Sequence, residues 1–263
     1  FMVLNPPTIE HGPFLFVPGW GCGEAHAYLP FLKELALRAR RRVFAIEYTE
    51  RHVRYEMFPR VVPGSPTTLP APQAWKVDSV RSAMIALGRG RGDTEFHTLA
   101  YSEGALHAIL ALHTLEEMHP PLTLICPAGI SPVASYPVIG VRALRNMIDV
   151  REQIRTDTVA RAHFLRHRDS IRRYLKAGHG GFMNKESVTG GRVDVFPLFA
   201  TLLRRYRKTE TPITIVAGAR DAMIPLREIE ERLLRVDRWP RVFDGGHSEI
   251  FFRPAQLAEL CLG

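Results

Sequence analysis

The chain has 263 residues, 46% of them hydrophobic and 24% charged, a composition that suits one large α/β domain or two small ones with a sizeable core. No apolar run approaches the roughly 20 residues of a membrane span, which excludes a transmembrane class. The net charge of +8 is uneven: residues 131–212 hold 16 Lys+Arg against 7 Asp+Glu, and the remainder holds 19 against 20.

That basic segment follows no nucleic-acid module, so no nucleic-acid partner is expected. It reads as solvated Arg-rich helices, with attraction of anionic substrates or membrane surfaces as the functional alternative. The N-terminus, FMVLNPPTIEHG, lacks a basic n-region followed by an apolar h-region, so no secretory signal is expected, although Phe1 before Met2 leaves room for a trimmed leader. Cys22, Cys126 and Cys261 are odd in number and far apart, with neither disulfide nor zinc spacing. They read as free thiols in a reducing compartment, hence a cytoplasmic protein, with no metal site expected.

In chain order, 13–18 is a short apolar run closed by Pro and Gly, a buried strand. Leu29, Leu32, Leu35 and Ala36 then recur at helical spacing. A strand is expected over 41–48. Residues 49–72, with Pro59, Pro63, Pro66, Pro70 and Pro72, form a long loop of undecided role. A helix over about 73–87 ends at Gly88, Gly90 and Gly92. A strand over 94–101 is followed by a helical pattern over 103–118 and a fully apolar strand over 121–129. Residues 130–211 carry no strand signal and read as amphipathic helices. A strand over 212–217, a helix over 226–236, a short strand over 241–243 and a helix from Pro254 complete the chain.

Strands that are apolar throughout and alternate with helices predict an α/β fold: a mostly parallel central sheet with helices on both faces. Such a sheet binds ligands beyond the carboxyl ends of its strands. The expected division is a core of 1–130 and 212–263 with a helical cap, or lid, inserted over 131–211. No internal repeat is visible.

Chemistry concentrates just after strands. In LAYSEGALHA, Ser102 sits between Ala100 and Gly104, at the end of one strand and the start of a helix. A sharp strand-to-helix turn would present its Oγ at the sheet edge, and small neighbours let strand and helix close up. The motif alone is weak, since a small residue at a tight turn reads the same way. A serine nucleophile also needs a base, a group to orient the base, and N–H donors for the oxyanion. Asp221 follows the strand 212–217 on a loop, where it could orient a base or cap the next helix. His247, in FDGGHSEI, lies on a Gly-rich loop after the last strand, whereas His107 and His113 fall within a helix and read as structural. Asp244 reads as a local turn contact. VPGWGCG, with Gly19, Gly21 and Gly23, follows the first strand, so the backbone N–H of Trp20, or less favourably Gly21, could pair with that of Glu103 as an oxyanion hole; an ordinary glycine turn is the alternative.

The order Ser, Asp, His, with a small-x-Ser-x-Gly elbow and an upstream glycine loop, resembles the α/β-hydrolase family, in its serine hydrolase branch, over about residues 13–262. Ala100 departs from the family's usual first Gly, and Pro18 stands where many relatives have the His of a His-Gly pair. The resemblance implies Ser102 as nucleophile, His247 as general base then acid, Asp221 as its orienter, and the Trp20 and Glu103 N–H groups as oxyanion hole. It implies hydrolysis through an acyl-enzyme, without metal or organic cofactor, on a small-molecule carboxylic ester. Acyl transfer, aminopeptidase or thioester chemistry, C–C cleavage next to a ketone, and a non-catalytic ligand-binding relative stand as alternatives. In the expected cap, Phe164, Phe182 and Phe196, with Leu165, Met183, Leu198 and Phe199, could line an acyl pocket or simply pack the lid, with 179–182 as a joint. Arg172 and Arg173 could attract an anionic substrate. Oligomeric state is not legible.

Overall fold

The computed structural model describes residues 1–19, 25–48, 60–61, 68–69, 71–89, 96–174 and 193–263. Its strands are β1 (Met2–Leu4), β2 (His11–Val17), β3 (Arg41–Ala45), β4 (Arg60–Val61), β5 (Thr68–Leu69), β6 (His97–Tyr101), β7 (Leu122–Ile125), β8 (Ile213–Gly218) and β9 (Arg241–Phe243). Its helices are α1 (Leu29–Ala39), α2 (Ala71–Arg89), α3 (Glu103–Thr114), α4 (Tyr136–Thr156), α5 (Thr158–Tyr174), α6 (Phe196–Lys208), α7 (Leu226–Leu233), α8 (Glu249–Phe252) and α9 (Pro254–Leu262).

Seven strands form one sheet in the order β1-β3-β2-β6-β7-β8-β9. Every neighbouring pair is parallel except β1 with β3. Both faces are covered, which is why the strands read as continuous apolar runs. Along β2, Leu15 and Val17 enter one core while Phe14 and Phe16 enter the other. The first core holds side chains of α2, α3, α6 and α7; the second holds those of α1, α8 and α9. Three layers result, with the carboxyl ends of β2, β6, β7, β8 and β9 along one rim.

The alternation of strand and helix matches the sequence reading, and the differences are local. The strand expected over 41–48 ends at Ala45. The helix expected over 103–118 stops at Thr114, where Leu115 leaves helical geometry at φ −107° and ψ 72° and its N–H turns back to Leu112 O. Strand β1 was not expected: three residues carry no period of their own, and they form an antiparallel edge only because β3 offers a partner.

Between β7 and β8 lie α4, α5 and α6. Asp157 separates α4 from α5 and accepts the Val159 N–H at 2.8 Å, ending one helix and starting the next. Helix α6 differs from the other two. It packs on α3, and its Phe199, Leu202, Leu203 and Tyr206 are buried in the core. Helix α4 buries Val150 against the opposite core, and α5 lies against α8. Among the described residues no helix is long and apolar enough to cross a membrane.

Candidate active site

Ser102 lies where β6 passes into α3, with φ 53° and ψ −121°. Positive φ in a non-glycine residue carries strain of about 1–3 kcal/mol, which the surroundings must hold. Here the Ser102 N–H donates to Ile125 O at 2.9 Å, and its carbonyl accepts from Ala105 N at 3.0 Å and Ala128 N at 3.1 Å. Gly104 makes the turn possible, because a Cβ there would lie 2.4 Å from the Val17 carbonyl oxygen and 2.6 Å from that of Pro18. Ala100 replaces glycine without conflict, since its methyl fills the buried core under β6.

The last strand end brings in His247. Its Nε2 lies 2.9 Å from Ser102 Oγ and its Nδ1 lies 2.8 Å from Asp221 Oδ2. With a carboxylate at Nδ1, the ring proton belongs there and Nε2 is the acceptor for the serine hydroxyl. Asp221 is 5% exposed, and its other oxygen, Oδ1, accepts the Met223 and Ile224 N–H groups, each at 2.8 Å. The carboxylate therefore holds its own turn and the imidazole at once; it does not cap the next helix, whose N-cap is Pro225.

The two loops are stitched to each other. Ala219 N donates to Phe243 O and Arg220 N to Gly245 O, both at 2.9 Å. A Cβ on Gly218 would lie 2.6 Å from Gly245 O, so glycine permits the approach. Asp244 pairs with Arg220 at 3.1 Å on the surface rather than with the imidazole. Tyr101 adds a contact that sequence reading missed: its hydroxyl donates to the His247 carbonyl at 2.6 Å, with the two rings 5.4 Å apart. A tyrosine beside the elbow serine was the visible signal, but nothing in the pattern says where its hydroxyl points.

Glu103 was singled out for its backbone. As the first residue of α3, its N–H is one of the helix-end donors without an intrahelical acceptor. Its side chain proves informative too. Oε1 accepts from Gln73 Nε2 at 2.6 Å and Oε2 from Lys76 Nζ at 3.2 Å. Gln73 Oε1 pairs in turn with His107 Nε2, and the Lys76 ammonium lies 4.8 Å from the centre of the Tyr48 ring. Gln73, Lys76, Glu103 and His107 are all buried. Burial first, and the Lys76 charge second, hold His107 well below the ordinary histidine range, so it is neutral. Helix α2 thus grips the start of α3 through a buried ion pair and two amide contacts directly behind the elbow.

Cys126, Asp221 and His247 offer ligand atoms within 4.8 Å of one another. The carboxylate and imidazole already bind each other and the turn amides. Burial, then the Asp221 charge, pushes the Cys126 thiol well above its usual range.

Of the other expected site residues, Trp20, Gly21 and Phe182 lie outside the described residues, as do Cys22, Met183, the joint at 179–182 and most of the loop 49–72. Phe164 is half-buried against Phe252, with ring centres 6.4 Å apart. Phe196 is buried in the other core beside Phe199, with the Arg232 guanidinium 5.1 Å from its ring centre. The structure therefore puts these two rings on opposite sides of the sheet. Arg172 is exposed.

Solved structures share this architecture at low identity. A lipase-esterase related protein from Clostridium acetobutylicum superposes with a TM-score of 0.63 at 12% identity, over 98% of this chain and 96% of that one. A meta-cleavage product hydrolase from Pseudomonas fluorescens gives 0.63 at 17%, over 96% and 90%. A thermophilic esterase from Thermogutta terrifontis gives 0.60 at 17%, over 96% and 88%. No curated protein matches the chain in sequence. The family model described as "Alpha/beta hydrolase family" matches residues 14–260, nearly the whole chain. The chain belongs to the alpha/beta hydrolase family.

Proposed function

We propose that the protein is a serine hydrolase of carboxylic esters, acting through an acyl-enzyme on a Ser102–His247–Asp221 triad. One observation carries this: an unbroken hydrogen-bonded path runs from Ser102 Oγ through both ring nitrogens of His247 to a buried carboxylate. Ser102 Oγ attacks the ester carbonyl as Nε2 takes its proton. The imidazolium that forms faces Asp221, whose geometry the turn amides fix. Charge develops on the carbonyl oxygen, and the free N–H of Glu103 at the positive end of α3 meets it. The Trp20 N–H is our choice for the second donor. His247 then protonates the departing alkoxide, and water repeats the sequence in reverse. An ester suits this site because an alkoxide leaves more easily than an amine.

Residues 131–211 would supply the cap over this rim. Because α6 is packed into the core, α4 and α5 are the part that could act as a lid. Gln153 on α4 donates to Glu249 Oε1 at 2.8 Å, two residues from His247. The test is turnover of a p-nitrophenyl ester series of increasing acyl length by the wild type and by Ser102→Ala. Turnover by the wild type alone supports the reading. Equal rates from both contradict it, and binding of esters with no turnover identifies a non-catalytic relative.

A further inference from the structure

Helix α4 has two apolar sides, and among the described residues only one of them packs against the protein. Ile139, Ala143, Val150 and Ile154 lie on the side turned toward the protein, and Val150 is buried in the core. The opposite side carries Val141, Leu144 and Ile148, flanked by Met147. These four are 50%, 54%, 56% and 60% exposed respectively. Half of the large apolar side chains exposed among the described residues fall between Val133 and Val159, so this is a concentrated patch and not ordinary scatter.

Charge selects the occupant. Residues 131–174 contain nine arginines against Asp149, Glu152, Asp157 and Asp169. Arg145, Arg151, Arg155, Arg161, Arg168 and Arg172 are exposed. At 100° per residue, Arg151 and Arg155 continue the face of Leu144 and Ile148 for two further turns. A second copy of this chain would bring like charges together across the patch. The patch lies along one helix, whereas a specific protein partner is anchored by side chains that fill pockets near the centre of an interface. Apolar insertion beside a spread of guanidinium groups matches the boundary between headgroups and acyl chains of an anionic bilayer.

We propose that the exposed face of α4, with the arginines of α4 and α5, docks the protein onto anionic membrane surfaces. The contact lies in the plane of the interface and needs no spanning segment. Gln153 ties the opposite side of the same helix to Glu249, so a bilayer seated on the exposed side would lie one helix diameter, ~10 Å, from that contact.

The test is co-sedimentation of the full chain with vesicles, one set pure phosphatidylcholine and one with roughly a third phosphatidylglycerol. Two variants accompany the wild type: Leu144→Glu/Ile148→Glu and Arg151→Glu/Arg155→Glu. The expected result is binding to the anionic vesicles only, weakened by salt, and reduced roughly tenfold or more in each variant, with thermal unfolding unchanged. Failure of the wild type to bind anionic vesicles overturns the proposal, as does binding by both variants at the wild-type level. A lowered unfolding temperature in Leu144→Glu/Ile148→Glu would show that the chain itself covers this face, and self-association lost in the variants would assign it to a second copy; either result also overturns it. None of these readouts needs ester turnover, so the outcome is independent of the proposed activity.

Discussion

The hydroxyl of Ser102 and the Nε2 of His247 lie 2.9 Å apart across 145 positions of sequence. They meet because β6 and β9 run in the same direction within one sheet and both deliver their following loops to the same rim. The contact depends on the close backbone approaches at Gly104 and Gly218 and on the positive φ of Ser102.

Replacing Asp221 by Asn keeps an oxygen for the Met223 and Ile224 amides but presents an amide to His247 Nδ1, which favours the wrong tautomer. Ester kcat should fall by about 10⁴ with the fold intact. Asp221→Ala should lose the same activity and also about 1–3 kcal/mol of stability, because the buried Ile224 N–H and the half-buried Met223 N–H lose their acceptor. Steady-state kinetics and urea unfolding on the two variants separate these effects.

Gly104→Ala should be the most damaging single methyl in the elbow. The new carbon would meet two carbonyl oxygens, and backbone cannot yield as a side chain tip can. A loss of about 3 kcal/mol or more is expected, at or beyond the usual range for overpacking. Ala100→Gly should cost only about 1 kcal/mol, from lost core contact and added chain freedom. Chemical denaturation of both variants checks the contrast.

The order of strands and the positions of Ser102, Asp221 and His247 were legible because each follows an apolar run closed by turn residues. Buried parallel strands leave that signature locally, without knowledge of the rest of the chain. What escaped was everything decided by pairing at a distance. Strand β1 exists through β3, and the Tyr101 hydroxyl has meaning only once the His247 carbonyl is beside it. Gln73 and Lys76 fall in the helix expected over about 73–87, whose pattern does not say what they touch, and only packing of α2 on α3 reveals them as buried partners of Glu103. The helix 196–208 read as part of a separate cap because its apolar stripe says that a face is buried, not against what.

The Lys76–Glu103 pair is nearly dry, with side chains 4% and 5% exposed. Removing either partner takes the buried ion pair apart, so Lys76→Met and Glu103→Gln should each cost about 3–5 kcal/mol. The double variant should cost clearly less than the sum of the two, since that sum counts the pair's mutual attraction twice. Urea midpoints for the four proteins give the coupling directly.

Stability should fall on mild acidification. Burial, with a smaller contribution from Arg41, lowers His97 from 6.5 to about 4, and His107 is lowered well below 6.5. Between those values the unfolded chain binds protons that the native chain refuses. Stability is therefore full above pH 6.5 and declines as pH drops toward about 4. His97→Gln, which can still reach the Thr123 hydroxyl now 2.9 Å from the imidazole, should flatten part of that decline. Unfolding curves at neutral pH and at about pH 5 would show it as a smaller difference than in the wild type.

A fluorophosphonate probe, followed by mass spectrometry of the digested protein, interrogates the elbow hydroxyl itself. A single adduct on the peptide carrying Ser102, formed far more slowly in His247→Ala and absent from Ser102→Ala, is the result expected of an imidazole-activated nucleophile. Absence of any adduct on Ser102, or a Ser102→Ala protein that still turns over esters at the wild-type rate, would contradict the assignment of this serine as the attacking group.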